Sequence, residues 1–97
     1  MTIEKKTVGQ TVELYLDGWL DTQSAPLLGA ALEELGPDVE SLVIDLTALE
    51  YTSSAGIRQI VAAYKQMKGA LVIRHASMEI LDVLRMVGLD KKLHIEP

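Results

Sequence analysis

Two short, almost continuous apolar runs, Ser41–Leu46 and Ala70–Arg74, constrain the fold of this chain more than any other feature. Such runs are typical of strands inside a parallel sheet, and we expect the first to be a central strand covered on both faces. The segment from about Ser54 to Lys68 has apolar residues at helical spacing, namely Ile57, Ile60, Val61 and Tyr64, and Gly69 ends it. A strand, a helix and a strand in this order predict a βαβ unit with a right-handed crossover.

Further elements are predicted on both sides of this unit. The apolar patterns indicate strands at 3–8, 11–16 and 93–95, and helices at about 25–35 and 77–87. Gly9-Gln10 would turn the first pair of strands, and Asp17-Gly18 would end the second strand. The order β-β-α-β-α-β-α-β predicts an α/β fold, with a small mixed sheet of about four to five strands layered with about three to four helices. Without a repeat or linker, the chain is expected to form a single domain, residues 1–97.

The composition argues against several classes of function. The formal net charge of −5 disfavours binding to nucleic acid or to an anionic membrane surface, so neither partner is expected. The chain has no cysteine for thiol chemistry, and its two histidines, His75 and His94, are too isolated to predict a metal site. No segment resembles a signal peptide or is long enough to cross a bilayer, so we expect a cytoplasmic location without membrane insertion.

Motifs for catalysis are missing as well. There is no G-x-S-x-G nucleophile motif, no phosphate-binding loop and no dinucleotide-binding glycine motif. We therefore expect a protein that is not an enzyme and that needs no cofactor. One enzymatic alternative stays open, in which Ser53 or Ser54 serves as a nucleophile.

The segment from Thr52 to Arg58 is the most informative for function, because hydroxyl residues cluster where the second predicted helix begins. Serine or threonine at a helix start is typical of a cap, worth about 1 kcal/mol. The same place suits a phosphate, since free N–H groups there stabilise an anion and Arg58 lies one turn after Ser54. Gly56 costs helix stability, and we interpret it as leaving the backbone open to an approaching group.

Three stretches of the chain together resemble the STAS domain of bacterial anti-sigma factor antagonists, also called anti-anti-sigma factors. They are Gly18–Asp21 before a helix, Leu42–Leu46 as a core strand, and Tyr51–Arg58 at a helix start. Their order and spacing fit a stand-alone STAS domain from about residue 3 to residue 96. The resemblance implies the STAS fold for the whole chain.

The resemblance also implies a set of site residues. Matched on Gly56, Ser54 takes the place of the phosphorylated serine, and Ser53 stands where the family often has an aspartate. Without that carboxylate, Ser53 or Thr52 becomes an alternative phosphorylation site. Asp21 matches an acidic residue that the family places near the phosphorylated serine. The implied partner-binding surface consists of Asp21, Ser53, Ser54, Ala55, Gly56, Ile57 and Arg58.

The function implied by the resemblance is that of a protein switch. The unphosphorylated chain binds an anti-sigma factor, which is itself a serine kinase, and so frees a sigma factor for transcription. Phosphorylation of Ser54 by that kinase ends the binding, and a serine phosphatase restores it. We expect an apolar rim at Ala55, Ile57 and Met86 to contact the kinase only while Ser54 is neutral.

Two further expectations complete this interpretation. ATP and Mg²⁺ would belong to the kinase, and the chain itself is expected to be a monomer. The alternative function for the same fold is a STAS subunit of a lipid-transport ATPase or of a sensory complex, in which Ser54 is never modified.

Overall fold

The computed structural model describes all 97 residues and contains strands and helices in the predicted order. The elements are β1 (Thr2–Val8), β2 (Thr11–Leu20), α1 (Ala25–Glu33), β3 (Ser41–Thr52), α2 (Ser54–Gln66), β4 (Leu71–Arg74), α3 (Met78–Met86) and β5 (His94–Glu96), with a 3₁₀ turn at Leu89–Lys91. The predicted α/β fold is therefore confirmed, with five strands and three α-helices. None of these helices is long and apolar enough to cross a membrane.

The strands form one mixed sheet whose spatial order repeats the chain order, β1-β2-β3-β4-β5. As predicted, β1 and β2 are antiparallel and turn at Gly9-Gln10, whereas all later neighbours are parallel. Parallel neighbours need a crossover connection, and α1, α2 and α3 supply one each. These crossovers have the same handedness, and each moves the chain one strand further in the same direction across the sheet. The three helices therefore lie on the same face.

A single apolar core lies between the helices and that face of the sheet. In β3, Leu42, Ile44 and Leu46 are buried in the core, while Val43 between them is half-buried on the opposite side. The helices contribute Leu28, Leu32, Ile57, Ile60, Ala63, Ile80 and Leu84. We call the opposite side, which carries Glu13, Tyr15, Val43, Asp45 and Arg74, the open face. The expectation that both faces of β3 are covered is wrong. Val43 lies between the core residues in the sequence, so the strand reads as continuously apolar although only one of its faces packs against helices.

β2 and β3 run further than the sequence predicts. The predicted stop at Asp17-Gly18 is wrong, because Gly18 adopts a backbone φ of +105° and the strand continues to Leu20. Few residues other than glycine tolerate that conformation. β3 likewise continues beyond the predicted Leu46 to Thr52. The two extensions project together and carry the start of α2 with them.

Two bulges in β3 explain why its extension is hard to recognise from the sequence. The register with β2 shifts between Tyr15 and Asp17 and again between Gly18 and Trp19, each time with one extra residue in β3. Such bulges interrupt the two-residue alternation of a strand and change the face that a side chain occupies. As a result three side chains spaced three residues apart all face the core, namely Leu46, Leu49 and Thr52.

Candidate functional site

The start of α2 is fixed to the end of β2. The N–H of Ser53 donates a hydrogen bond to the Leu20 carbonyl oxygen at 2.9 Å. The Ser53 hydroxyl then caps the helix by accepting from the N–H of Gly56 at 3.3 Å. The predicted serine cap is therefore present, and it satisfies one of the N–H groups that a helix start leaves without a partner.

Ser54 is the first residue of α2, and its exposed hydroxyl has no hydrogen-bond partner within the protein. The N–H groups of Ser54 and Ala55 also lack a protein acceptor. Arg58 lies one helical turn further on, exposed and without an ion pair. The positive end of the helix dipole and two free N–H groups thus lie at one free hydroxyl, and Arg58 follows it by one helical turn.

The other two hydroxyl groups of this segment are engaged. Thr52 is only 5% exposed, and its hydroxyl donates to the Ser53 carbonyl oxygen at 3.2 Å. Ser53 is half-buried, and its hydroxyl oxygen accepts the capping hydrogen bond. Among the three candidates for phosphorylation, Ser54 alone combines an exposed side chain with an unpaired hydroxyl.

Gly56 is buried rather than open to an approaching group, so the interpretation made from the sequence is wrong at this residue. A Cβ atom there would lie 2.5 Å from Thr52 Oγ1 and 2.6 Å from Leu20 Cγ. Real side chains do not tolerate such distances, and the glycine is needed so that the first turn of α2 can pack against the end of β2. The partner in this contact, Leu20, is far away in sequence.

The predicted apolar rim at Ala55, Ile57 and Met86 does not form one surface. Ile57 is buried in the core, and Ala55 is half-buried. Met86 is exposed, but it is the last residue of α3. Because α3 connects two parallel strands, it runs back along the sheet and ends near the amino-terminal ends of the strands. Ser54 follows the carboxyl end of β3, at the opposite end of the sheet.

Two exposed aromatic residues beside this helix start were not predicted from the sequence. Trp19 and Tyr51 are paired across β2 and β3, with ring centroids 5.1 Å apart and ring planes tilted by 43°. Trp19 directly precedes Leu20, and Tyr51 lies just before the helix cap, but both rings point to the open face. The signal in the sequence was the alternation from Leu16 to Leu20, which continues through the supposed stop at Gly18.

Asp21 lies directly after Leu20, in the turn before α1. Its carboxylate accepts hydrogen bonds from the N–H groups of Ser24 and Gln23, both at 3.0 Å. The Ser24 hydroxyl donates to the Trp19 carbonyl oxygen at 2.6 Å, which ties this turn to β2. Hydrogen bonds from the backbone and hydroxyl of Ser24 hold the pKa of Asp21 below its ordinary value. Asp21 thus lies near the start of α2, where its carboxylate orders its own turn.

A polar network occupies the middle of the open face. Asp45 is 3% exposed and accepts from Arg74 Nε at 3.0 Å and from the Thr47 N–H at 2.9 Å. Burial alone would raise the pKa of Asp45, but the hydrogen bonds from Thr47 and Arg74 hold that pKa below its ordinary value. Arg74 also contacts the Glu13 carboxylate at 3.4 Å and the Tyr15 hydroxyl at 3.1 Å.

The histidines take part in local contacts. His75 Nδ1 lies 3.2 Å from Asp45 Oδ2 and 3.1 Å from Thr47 Oγ1, and His94 Nε2 lies 3.4 Å from Glu96 Oε2. No group of three or more histidine or carboxylate side chains is arranged to hold a metal ion. Neither histidine hydrogen-bonds a serine, so neither is placed to activate Ser53 or Ser54 as a nucleophile.

Comparison with known proteins identifies the fold. A family model described as "Mlab, STAS domain" matches residues 3–96. A putative anti-sigma factor antagonist from Thermotoga maritima shares 18% identity and a TM-score of 0.89, over 98% of this chain and 86% of that chain. An anti-sigma factor antagonist from Mycobacterium paratuberculosis shares 24% identity and a TM-score of 0.89, over 99% and 85%.

A third similar structure is the Bacillus cell fate determinant SpoIIAA in its phosphorylated form. It shares 16% identity and a TM-score of 0.68, over 97% of this chain and 90% of that chain. No curated protein matches the sequence. At these identities the solved structures show a common fold.

Proposed function

The chain belongs to the STAS domain family described as Mlab, which confirms the resemblance in its sequence, and from this premise we propose that it is an anti-sigma factor antagonist. Its unphosphorylated form binds a kinase-type anti-sigma factor and frees the sigma factor. Phosphorylation of Ser54 switches this binding off. The observation that carries the proposal is the exposed, unpaired hydroxyl of Ser54 at the first position of α2.

Phosphoryl transfer at this position requires only the hydroxyl from this chain. The Ser54 oxygen attacks the γ-phosphorus of ATP held by the kinase, the bond to the bridging oxygen breaks, and ADP leaves. The hydroxyl proton passes to a base of the kinase. ATP, Mg²⁺ and the base belong to the kinase, so this chain acts as a substrate without a cofactor of its own.

The phosphorylated domain is expected to keep its fold. A phosphoserine carries a charge of about −1.5 to −2 at neutral pH. The free N–H groups of Ser54 and Ala55 point at this position, and the Arg58 guanidinium is one turn away. The similar fold of phosphorylated SpoIIAA supports this expectation.

Loss of partner binding follows from where the new charge is placed. An interface that closes over a neutral hydroxyl would have to bury a phosphate dianion after modification. Burying such a charge without a paired cation costs roughly several kcal/mol. The kinase and its phosphorylated product therefore separate, and a serine phosphatase that removes the phosphate restores binding.

The test is to incubate the chain with ATP and a kinase-type anti-sigma factor of the same organism, and to measure intact mass and binding. We expect one added phosphate on Ser54. We expect Ser54→Ala to bind the kinase like the wild type without accepting phosphate, and Ser54→Asp to weaken binding at least about tenfold, or about 1.4 kcal/mol.

Ser53→Ala is the matched control. It removes the cap and costs about 1 kcal/mol of stability, but it leaves the phosphate acceptor in place. The proposal is wrong if Ser54→Asp binds as tightly as the wild type, or if phosphate maps to Ser53 or Thr52.

Several properties belong to the same proposal. The chain acts in the cytoplasm, where its kinase has ATP, and residues 1–97 work as a single domain and as a monomer. Its net charge of −5 fits a protein partner better than nucleic acid or membrane. We propose no catalytic activity, and a fluorophosphonate probe that reacts with serine nucleophiles is expected to leave the chain unlabelled.

A second candidate function is kept because the description of the matching family model, "Mlab, STAS domain", does not mention an anti-sigma factor antagonist. In it, the chain is the STAS subunit of a lipid-transport ATPase, or part of a sensory complex, and Ser54 is never modified. Copurification with a transporter ATPase, together with no phosphate after incubation with the kinase, would select this function.

A further inference from the structure

Trp19 and Tyr51 form an aromatic pair that no part of the domain covers. Their side chains are 56% and 44% exposed, although their rings touch each other. Large aromatic side chains are efficient at burying apolar area, and adjacent exposed ones mark interaction sites. The aromatic pair lies on the open face and is separate from the free hydroxyl of Ser54.

The backbone around the aromatic pair is held in place. Leu20 and Thr52 face the core, so their neighbours Trp19 and Tyr51 must face the other way. The bulge in β3 places Glu50 as the extra residue opposite the Gly18–Trp19 step, which aligns Tyr51 with Trp19. On the β2 side of the pair, the hydrogen bond from the Ser24 hydroxyl to the Trp19 carbonyl oxygen holds the backbone of Trp19. A preformed surface loses little entropy when it binds a partner.

The charges next to the aromatic pair are negative. Asp17 lies two residues before Trp19 on the same face of β2, and Glu50 directly precedes Tyr51. Neither carboxylate has an ion-pair partner, whereas Arg74, a cation on the same face of the sheet, is held by Asp45 and Glu13. Asp17 and Asp45 also line a depression of about 170 Å³ on the open face.

These features select one kind of occupant. A second copy of this chain would bring a further net charge of −5 and the same unpaired carboxylates, so self-association here is disfavoured. Arginine and lysine side chains are attracted to the faces of tryptophan and tyrosine rings, and carboxylates strengthen that attraction. We infer that the aromatic pair is a docking surface for an arginine or lysine side chain presented by a partner protein.

The inference does not depend on phosphorylation of Ser54, and it can be tested without a known partner. Trp19 is the single tryptophan of the chain, so its fluorescence and its indole N–H resonance report on this surface alone. A library of random peptides displayed on phage is selected on the wild-type chain. The best peptide is then synthesised and titrated against the chain while the Trp19 signals are followed.

We expect the selected peptides to share an arginine or lysine, and the Trp19 signals to respond to them. Replacing that arginine by citrulline, or the lysine by norleucine, removes the charge, and we expect affinity to fall about tenfold. Trp19→Leu and Tyr51→Leu should reduce affinity by a similar factor. Binding to Trp19→Leu, which has lost the fluorophore, is measured by calorimetry. Asp17→Asn should reduce it less and weaken its dependence on salt.

Met86→Ala is the matched control, since Met86 is an exposed apolar residue on the helical side of the domain and should leave affinity unchanged. Circular dichroism of each variant shows that the fold is kept, which is expected because both rings are exposed. Selection of acidic or uncharged peptides, selection of none, or equal affinity for the neutral peptide would each overturn the inference.

Discussion

Three neighbouring hydroxyl residues at the start of α2 acquire different chemistry from their surroundings. The Thr52 hydroxyl is buried and bonds a carbonyl oxygen, the Ser53 hydroxyl caps the helix, and the Ser54 hydroxyl is exposed and unpaired. The residue type is almost the same at each position, and the backbone geometry decides what each can do. Two residues further on, Gly56 makes this geometry possible by allowing the helix to approach Leu20.

The close approach at Gly56 leads to the first prediction at the scale of residues. Gly56→Ala should destabilise the domain by about 1–3 kcal/mol, because the new methyl group would overlap Leu20 and Thr52. Urea unfolding measures the change. Gly36→Ala is the control, since a Cβ atom there meets nothing within 4 Å and should leave the free energy of unfolding nearly unchanged. Equal stability of the two variants would refute the packing role of Gly56.

At the scale of elements, the extensions of β2 and β3 decide where the functional surfaces lie. If β2 ended at Asp17, Trp19 would belong to a loop, and α2 would lose its hydrogen bond to Leu20. The continuation depends on Gly18, whose φ of +105° is strained for other residues. Two bulges in β3, each adding one residue to that strand, keep β3 paired with the continuation of β2 as far as Leu20 and Thr52.

We therefore predict that Gly18→Ala destabilises the domain by about 1–3 kcal/mol. The neighbouring Trp19 should report the distortion through a shift in its fluorescence emission, measured together with urea unfolding. Asp17→Ala changes an exposed residue of the same strand and should alter stability by less than about 0.5 kcal/mol. A Gly18→Ala protein with wild-type stability and emission would show that β2 does not need glycine there.

The sequence was enough to predict the order of the elements, because apolar spacing differs clearly between strands such as Leu42–Leu46 and the helix that follows. It was not enough to predict the end of β2, because Asp17-Gly18 is typical of a turn, or the end of β3, because two bulges interrupt the alternation that identifies a strand. For this reason Trp19 and Tyr51 were missed. The role of Gly56 was misread because the side chain that crowds it, Leu20, belongs to another element.

At the scale of the whole molecule, the domain has two faces with different chemistry. The helical face is held by aliphatic packing, whereas the open face is held by the buried Asp45 carboxylate with Arg74 and Thr47. Because the pKa of Asp45 is lowered in the folded state, its contribution to stability is complete above the pKa of about 3.9 in the unfolded chain. The contribution is lost as the pH falls through the folded-state pKa.

This linkage leads to a prediction for acid stability. Asp45→Asn should lower the free energy of unfolding by about 1–3 kcal/mol at neutral pH. The difference from the wild type should shrink as the pH falls below about 4, where the wild-type carboxylate is protonated. Urea unfolding over a pH series measures both effects. Asp38→Asn, an exposed residue without an ion pair, should follow the wild type, and a constant difference between Asp45→Asn and wild type would contradict the prediction.

The strands have the same order in the sheet as in the chain, and this order also decides which part of the domain a fusion partner would contact. β1 and β5 are the opposite edges of the sheet, about 19 Å apart for strands spaced by about 4.8 Å. Met1 packs against the core beside Gly18, on the side of β2 opposite the Trp19 ring, whereas Pro97 is exposed at the far edge. Tags and reporters for interaction studies therefore belong at the carboxyl terminus, because an amino-terminal fusion would disturb the packing of Met1 against the core.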